Sequence, residues 1–582
     1  MITNFFIYKV KIKDNQFVSE SGKKFENTAA VSFIDENKKE IAYVELGFLY
    51  AEDIYKLIDK EEPINLDFAY IENFSLDDYR NSRNLEKKTY IKLHKFSAFN
   101  TFFDSQIITD FSHSEFDEEY KTFENTCFLN GAVTFRSTQF NNGGLNFSNV
   151  LFYNGNVDFS NVHFGDGEAN FKNSWFGKGF VNFQDANFGA GDVLFMNTEF
   201  NNGDISFVNT EFKSDRVSFK VARFGNGKVD FHFARFHCHE VIFEQTEFGN
   251  GKVDFRTVEF KDAKVSFNRA IFGNGEKTFE ACQHNGGKIT MRKSQWGEGN
   301  VSFEQVEFHK TLLFLDNADF GTGNLSFYNS HIMELSLQSC HLDHYVDLRI
   351  AECNYLDLSD SIGRDIIDLK PHDFHVKINT VNFAGMRLIG RVYLDWNANN
   401  VENLIYSQTN TSRREKAEQF RILKENFNSA GQYDDEDKAY IQFKRNESSA
   451  TLHESIKRNK VSAIWQYPAY GFKMLVFDWM GLYATSPIRV ILSNITMYFF
   501  FAFLYTIIPY ISSSTLSSIQ PEQSFWMRFW DAAYYTGITY FTVGYGDILP
   551  IGPIRYLADI TAFTGVFMMS YFTVAFVRKI LR

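Results

Sequence analysis

The chain has 582 residues, of which 66 are Phe, 8 are Pro and only 5 are Cys. This aromatic content excludes a disordered, mucin-like or collagen-like chain, because such chains are poor in aromatic residues. The 59 basic and 72 acidic side chains give a net charge of −13, which argues against nucleic acid as a partner. The cysteines lack CxxC spacing, which favours a reducing compartment for the bulk of the chain.

Residues 1–95 mix strand-like and helix-like patterns. We predict strands over residues 5–12 and 29–34, and a helix near residues 51–60. The ends of a repetitive domain have no neighbouring repeat to cover them. We therefore expect residues 1–95 to form an α+β cap on the repeats that follow.

A twelve-residue repeat dominates the next part of the chain. Counted in twelves, the series from Phe99 to Phe327 has 18 Phe in 20 positions, and the series from Phe116 to Phe320 has 16 in 18. Within the repeating unit the first Phe follows Val, Ile or Leu by two residues and the second follows Ala, Thr, Ser or Val by two, so both members of each pair can face the same side of a strand. The glycine-rich stretches between units, such as those at Gly225 and Gly249, predict turns with positive φ.

This pattern resembles the pentapeptide-repeat family, whose units have an inward Leu or Phe and a small residue two positions earlier. The resemblance covers residues 96–396 and departs from the family by two extra residues in alternate units. It implies a right-handed, four-sided β-solenoid with 24-residue coils. We prefer this coil to one of twelve residues, which would enclose too little room for two Phe rings.

Residues 397–460 predict a helical hairpin that joins the solenoid to the membrane part. Its first helix covers residues 413–430 and is ended by Gly431, and Asp434 or Asp435 caps the second, which runs to about residue 457. In the following segment, 461–486, we expect residues 472–483 (FKMLVFDWMGLY) to form a helix that lies along the inner membrane surface and transmits movement. Packing on the hairpin is the alternative.

Two strongly apolar stretches, 488–511 and 557–577, predict membrane helices, since no charge lies between Arg489 and Glu522 or between Ile560 and Arg578. At ~1.5 Å per residue the first is about 36 Å long, enough to cross a hydrocarbon core of about 30 Å. Arg489 lies at the start of the first stretch, and Arg578 and Lys579 follow the second. The positive-inside rule then predicts a multi-pass protein of the inner cell membrane, with the solenoid and the C-terminus in the cytoplasm.

The segment between these stretches carries TVGYGD at residues 542–547. With its flanking helices it resembles the pore of two-transmembrane potassium channels, over residues 487–582. The resemblance implies a pore helix over 525–541, a selectivity filter over 542–546 and a homotetramer in which backbone carbonyls replace the water shell of K⁺. The implied ion-binding residues are Thr542, Val543, Gly544, Tyr545 and Gly546.

The same resemblance implies roles for residues around the filter. Asp547 and Tyr534 match a family pair that supports the filter, and Tyr545 is expected to pack on the pore helix. Ile538 stands where some members have Glu, so a buried carboxyl pair is not expected. Gly565, in the middle of the second membrane helix, is a gating hinge or a helix-packing glycine.

Solenoid and pore together resemble a bacterial pentapeptide-repeat ion channel. We expect K⁺ as the permeant ion, no organic cofactor, no other metal and no enzymatic activity. The solenoid would anchor, assemble or regulate the pore through an unknown cytoplasmic ligand or protein. The alternative is a non-conducting membrane scaffold whose solenoid binds a protein partner in the manner of a DNA mimic, since residues 99–330 hold 30 acidic and 20 basic side chains.

Two further patterns are given their ordinary structural interpretation. The recurring GNGK lacks the GxxxxGKT form of a phosphate-binding loop and is interpreted as a turn. The group His232, His237, Cys238 and His239 is interpreted as exposed strand residues rather than metal ligands.

Overall fold

The computed structural model describes residues 5–581. These residues form two compact units, which meet in the chain between Gln408 and Thr409. The first unit is mostly β-structure and the second is mostly helical. Each unit is described by itself.

The first unit begins with three antiparallel strands, Ile7–Lys13, Asn27–Ile34 and Glu40–Tyr50, and a small hairpin of Phe17–Val18 with Lys24–Phe25. From Gly47 onward the pairing is parallel, and a β-solenoid of about 14 coils extends over residues 47–393.

Residues 47–95, which we expected in the cap, therefore lie in the first coils. These coils carry helices α1 (Ala51–Asp59) and α2 (Leu76–Ser82). They lack the regular Phe rhythm, so the periodicity could not reveal them.

Each solenoid strand pairs in parallel with the strand one coil away, 24 residues along the chain in the regular part. Val193 pairs with Val217, for example, and Val229 with Val253. Four short strand positions recur in each coil, so the predicted 24-residue, four-sided coil is confirmed and a twelve-residue coil is excluded.

The strands of two adjoining faces are Ala69–Glu72, Phe102–Asp110, Cys127–Thr134, Leu151–Phe152, Val157–Asp158, Trp175–Phe176, Val181–Asn182, Glu199–Phe200, Ile205–Ser206, Arg223–Phe224, Val229–Asp230, Glu247–Phe248, Val253–Asp254, Ile271–Phe272, Lys277–Thr278, Val301–Ser302, Leu325–Ser326, His341–Leu342, Val346–Asp347, Ile362–Gly363, Ile366–Asp368, Arg387–Leu388 and Arg391–Tyr393. Those of the other two are Ile91–Leu93, Ser114–Phe116, Lys121–Thr122, Gln139–Phe140, Leu145–Asn146, Ala169–Asn170, Asn187–Phe188, Val193–Leu194, Glu211–Phe212, Arg216–Ser218, Arg235–Phe236, Glu240–Ile242, Lys264–Ser266, Gly287–Thr290, Glu307–Phe314, His331–Ser336, Glu352–Asp357 and Lys377–Asn382.

Phenylalanine rings fill the solenoid interior in ordered columns. Phe219 stacks on Phe195 and on Phe243, with ring centroids 4.8 Å apart in both pairs. Phe207, twelve residues away, meets Phe219 edge to face at 5.6 Å. Rings 24 residues apart thus stack along the solenoid, while rings twelve residues apart meet edge to face across its interior. Both arrangements are favourable aromatic geometries.

The cysteines of the solenoid are free thiols that serve as packing residues. Burial raises the pKa of the Cys340 and Cys353 thiols to about 12. Thiols with so high a pKa hold almost no thiolate at neutral pH and are unreactive.

The glycines between units are of two kinds: some, such as Gly155 (φ +95°) and Gly165 (+65°), have the predicted positive φ, whereas Gly225 and Gly249 do not. Positive φ occurs two residues after an inward Phe, as at Asn197 (+54°) and Val221 (+59°), and not at Gly225 or Gly249. A Cβ on Gly249 would lie 2.1 Å from the carbonyl oxygen of Gly225 in the preceding coil. The prediction of positive φ at these glycines is wrong; glycine is needed there because successive coils pack backbone on backbone.

A short helix, α3 (Val401–Tyr406), follows the last coil, and the second unit begins with helix α4 (Arg413–Ser429). Ser412 and Glu415 form a capping box at the start of α4. Gly431 has φ +72° just past the end of this helix, the usual role of glycine there.

Helix α5 (Tyr433–Arg458) forms a hairpin with α4, and its N-cap is Gln432. The predicted caps Asp434 and Asp435 lie instead in the first turn of α5, where acidic side chains favour the positive end of the helix dipole. The hairpin is therefore present, but its second helix begins earlier than predicted and has Gln432 as its N-cap.

The apolar segment after the hairpin is helical over a different range from the predicted one. Helix α6 (Ala463–Lys473) continues into one stretch of π-helix, Met474–Trp479. Residues 482–484 have φ between +48° and +62°, so the helix expected over 472–483 starts earlier and ends before Met480.

Three helices complete the chain: α7 (Pro487–Ile511), α8 (Phe525–Tyr540) and α9 (Ile554–Ile580). A two-residue antiparallel ladder joins Thr515–Leu516, after the end of α7, to Pro550–Ile551, before the start of α9. These helices correspond to the predicted membrane helices and pore helix, with α9 longer at both ends.

We predict that Phe219→Ala lowers the free energy of unfolding of the solenoid by about 3–5 kcal/mol, because truncation leaves a cavity between two stacked rings. The measurement is urea unfolding followed by near-UV circular dichroism. Phe233→Ala is the matched control, since the Phe233 ring points outward and is 52% exposed. Equal losses from the two substitutions would contradict a Phe-filled interior.

Candidate functional site

Helices α7 and α9 are long and apolar enough to cross a membrane. Only 22% and 28% of their most apolar parts are buried within the chain. The core helix of a soluble protein would be mostly buried, so the exposed apolar surface of α7 and α9 is typical of contact with lipid or with further subunits.

Helix α8 lies against both of these helices and is held by polar contacts. The Tyr540 hydroxyl donates to the Asn494 side chain of α7 at 3.0 Å, and the Tyr498 hydroxyl donates to the Ala533 carbonyl at 2.9 Å. At ~1.5 Å per residue the 16 residues of α8 cover about 24 Å, less than a full crossing. Helix α8 is therefore a short helix packed on two longer ones.

The segment after α8 alternates in backbone conformation. Thr542, Gly544 and Gly546 have φ of +58°, +66° and +74°, whereas Val543 and Tyr545 do not have positive φ. Positive φ at the two glycines is expected, but it is costly for a β-branched residue such as Thr542. Costly conformations of this kind concentrate at functional sites.

The carbonyl groups of this segment are available to a ligand. Within residues 5–581, no backbone N–H donates to the carbonyl oxygens of residues 542–545. The N–H of Gly544, by contrast, is satisfied by the Ile538 carbonyl at 3.0 Å. A row of unpaired carbonyl oxygens is the chemistry that a bare monovalent cation requires.

Two side chains flanking the segment meet as a donor and an acceptor. The Tyr534 hydroxyl of α8 donates to the Asp547 carboxylate at 2.7 Å. Ile538 is buried among the helices. The Tyr545 ring is 73% exposed, so the contact with a pore helix that we expected for it does not form within one chain.

Gly565 lies where α9 passes closest to α8. A Cβ at this position would be 1.9 Å from the carbonyl oxygen of Tyr540, the last residue of α8. Helix α9 continues unbroken through Gly565. The structure thus gives this glycine a packing reason, and the hinge role stays a prediction.

The C-terminal end of α9 is bound to the start of α5 by ion pairs that the sequence did not predict. Arg578 lies 2.9 Å from the Asp437 carboxylate, and Lys579 lies 3.1 Å from Asp434 and from Asp437. The Arg578 guanidinium also stacks over the Tyr440 ring at 4.4 Å. We call this group of Asp434, Asp437, Arg578 and Lys579 the inner clamp.

A second set of contacts joins α5, the π-helical stretch and α9. Arg445 of α5 makes two hydrogen bonds of 2.9 Å to Asp478, whose side chain is 3% exposed. The Tyr571 hydroxyl of α9 accepts from the Ala484 N–H at 3.0 Å and donates to the Phe477 carbonyl at 3.1 Å. The residues between the hairpin and the apolar helices are thus tied to the C-terminal half of α9.

The comparisons with known proteins point to the same part of the chain. Residues 493–582 match a family model described as "Ion channel". Neither a curated protein nor a solved structure matches the chain. The family match, together with the two apolar helices, supports an ion channel and a membrane location for this part of the chain.

We predict that Gly565→Ala lowers the thermal midpoint of the protein in detergent, because the added methyl group must push α9 away from the Tyr540 carbonyl at a cost of about 1–3 kcal/mol. Gly471→Ala is the control, since a Cβ on that helical glycine would meet nothing within 4 Å. A variant of unchanged stability but altered opening would favour the hinge role instead.

Proposed function

We propose that the protein is a potassium-selective, homotetrameric channel whose solenoid regulates the pore. The observation that carries this proposal is the TVGYGD segment, with alternating φ and unpaired carbonyls, held between a short helix and two membrane-length helices. No catalytic activity and no organic cofactor are assigned, and K⁺ is the permeant ion.

Permeation in this proposal is an exchange of ligands. K⁺ leaves its water shell and is bound by rings of backbone carbonyls from Thr542, Val543, Gly544 and Tyr545, with the Thr542 hydroxyl at the innermost site. The carboxyl end of α8 directs its negative dipole end toward the same path, which favours a cation there. The Tyr534–Asp547 hydrogen bond holds the outer end of the filter in position.

Four copies are required because a single chain supplies one filter segment. Residues 541–547 are all exposed in one chain, and the Val543 side chain and Tyr545 ring have exposed fractions of 50% and 73%. Non-helical backbone is tolerated at membrane depth only when protein surrounds it or when it lines a wet path. A tetramer meets both conditions for residues 542–546.

The proposed location is the inner cell membrane, with the solenoid and the C-terminus in the cytoplasm. Arg578 and Lys579 at the end of α9 fit the positive-inside rule. The apolar side chains of Trp465, Leu475 and Trp479 have exposed fractions of 79%, 54% and 69%, as expected for a segment that lies on the membrane surface.

The inner clamp is the proposed point at which the cytoplasmic part acts on the gate. It binds the inner end of α9, the helix that lines the pore in this proposal, to the first turn of α5. A ligand or protein on the solenoid can change opening only if it binds the open and closed arrangements with different affinity. In this proposal the ion-pair network at the end of the pore-lining helix has two arrangements. In one the ion pairs are formed, as in the structure, and in the other they are released.

We predict that the current through the purified protein in planar bilayers reverses near the K⁺ equilibrium potential under a K⁺/Na⁺ gradient. Thr542→Cys should lower K⁺ conductance and weaken block by Ba²⁺, because it removes the hydroxyl of the innermost site. Ser512→Cys, at the exposed end of α7, is the matched control and should leave both unchanged.

A stable monomer or dimer in lipid, or currents that do not distinguish K⁺ from Na⁺, would contradict this proposal. Tetramers that carry no current under any condition would favour the alternative, a membrane scaffold whose acidic solenoid binds a protein partner.

We predict that Asp437→Asn changes the open probability by several-fold and leaves the K⁺/Na⁺ permeability ratio unchanged, because Asp437 contacts α9 and lies outside the filter. Single-channel recording measures both quantities. Asp435→Asn is the matched control, since Asp435 is in the same turn and pairs with Lys438 of its own helix at 2.9 Å. Equal effects of the two substitutions would exclude a specific role for the inner clamp.

A further inference from the structure

Three metal-ligating side chains meet on the outside of the solenoid, far along the chain from the pore segment. They are Glu307, His309 and His331, and one ligand atom from each lies within 4.8 Å of the others. His309 Nε2 is 2.8 Å from the Glu307 carboxylate, and His331 Nδ1 is 3.6 Å from the same oxygen. The two imidazole rings have centroids 4.7 Å apart.

The coil geometry brings these residues together. Glu307 and His331 are direct parallel partners on neighbouring coils, so their side chains emerge side by side. His309 follows Glu307 by two residues on the same strand, with the buried Phe308 between them, and therefore shares its outward face. Glu307 and His331 thus come from paired strand positions, and His309 lies just past them, where the ladder is interrupted.

One atom of the cluster lacks the partner that its burial demands. His331 Nδ1 is inaccessible to solvent, and within residues 5–581 it has no hydrogen-bond partner. Its nearest acidic neighbour, the Glu307 carboxylate at 3.6 Å, lies beyond hydrogen-bond distance. A buried ring nitrogen facing a carboxylate and a second imidazole is suited to a cation shared by all three groups.

We propose that Glu307, His309 and His331 bind a divalent transition-metal ion of the zinc class. Imidazole nitrogens suit Zn²⁺, Cu²⁺ and Ni²⁺, whereas Mg²⁺ and Ca²⁺ prefer sites made of oxygen ligands. In a tetrahedral zinc site with bonds of about 2.1 Å, ligand atoms are about 3.4 Å apart, so small side-chain rotations suffice. Three protein ligands leave a fourth position open to water.

The surroundings are compatible with a cation at this site. Glu352, the partner of His331 on the next coil, continues the same outward column. The Lys377 ammonium pairs with Glu352 at 2.7 Å rather than with Glu307, so the Glu307 carboxylate remains available to the two imidazoles. The metal would join neighbouring coils across one corner of the solenoid.

The histidine group noted in the sequence is built differently. His237 lies between Glu211 and Glu259, at 3.7 and 3.5 Å, and so supplies one imidazole between two carboxylates. His239 is exposed and contributes to no ion pair among the described residues. His239→Ala is therefore a matched control on the same domain.

The test is isothermal titration of the EDTA-treated full-length protein, in lipid nanodiscs, with Zn²⁺ alone. We expect one saturable site per chain that excess Mg²⁺ does not displace. His331→Ala should weaken the affinity of this site for Zn²⁺ by at least about 10-fold. Substitution of a residue that only hydrogen-bonds to a metal ligand typically weakens metal affinity by that factor, and loss of a ligand should cost no less. His309→Ala with His331→Ala should abolish the site, and His239→Ala should leave it intact.

The thermal midpoint of each variant, measured without metal, shows whether the variant folds. If either histidine variant does not fold, Glu307→Gln replaces it as the ligand variant. Visible absorption of the Co²⁺-loaded protein, lost in the same ligand variants, would support coordination by these residues. The proposal is overturned if no saturable Zn²⁺ site is found, or if the ligand variants bind Zn²⁺ as tightly as His239→Ala does.

Discussion

The structure depends throughout on one constraint, which is that a backbone polar group removed from water must find a partner. In the solenoid this partner is the neighbouring coil: the Phe219 N–H donates to the Ile242 carbonyl at 2.7 Å while its ring fills the interior. In α7 and α9 the partner lies four residues away in the same helix, the solution that a membrane demands. The carbonyls of residues 542–545 accept no backbone hydrogen bond, and the ion-binding role proposed for this segment rests on that departure.

The predictions that succeeded rest on patterns that the sequence itself displays. The Phe spacing required 24 residues per coil, because two rings per twelve residues need the room of a four-sided interior, and the strand pairing has that period. The helices at the C-terminus follow from two strongly apolar stretches of membrane length. Both patterns are local or strictly periodic, so they are visible in the sequence.

Features that depend on contact between distant residues could not be predicted. The early coils lack the Phe rhythm, and Gly249 owes its identity to a carbonyl in the preceding coil. The pairing of Asp437 with Arg578 joins residues 141 positions apart. The cluster of Glu307, His309 and His331 likewise depends on coil register, which a linear motif does not record.

The departures from the Phe rule have a consequence for how the solenoid finds its alignment. Coils with identical Phe columns would pair almost equally well if one slipped past its proper neighbour, since stacking and backbone bonds would be the same. Trp296, stacked on Phe272 at 4.2 Å, and His284, bonded to Thr311 and to the Ala263 carbonyl, fit only one alignment. The residues that break the Phe pattern thus specify which coil pairs with which, in a solenoid whose other coils are nearly equivalent. The accuracy of coil pairing during folding depends on them.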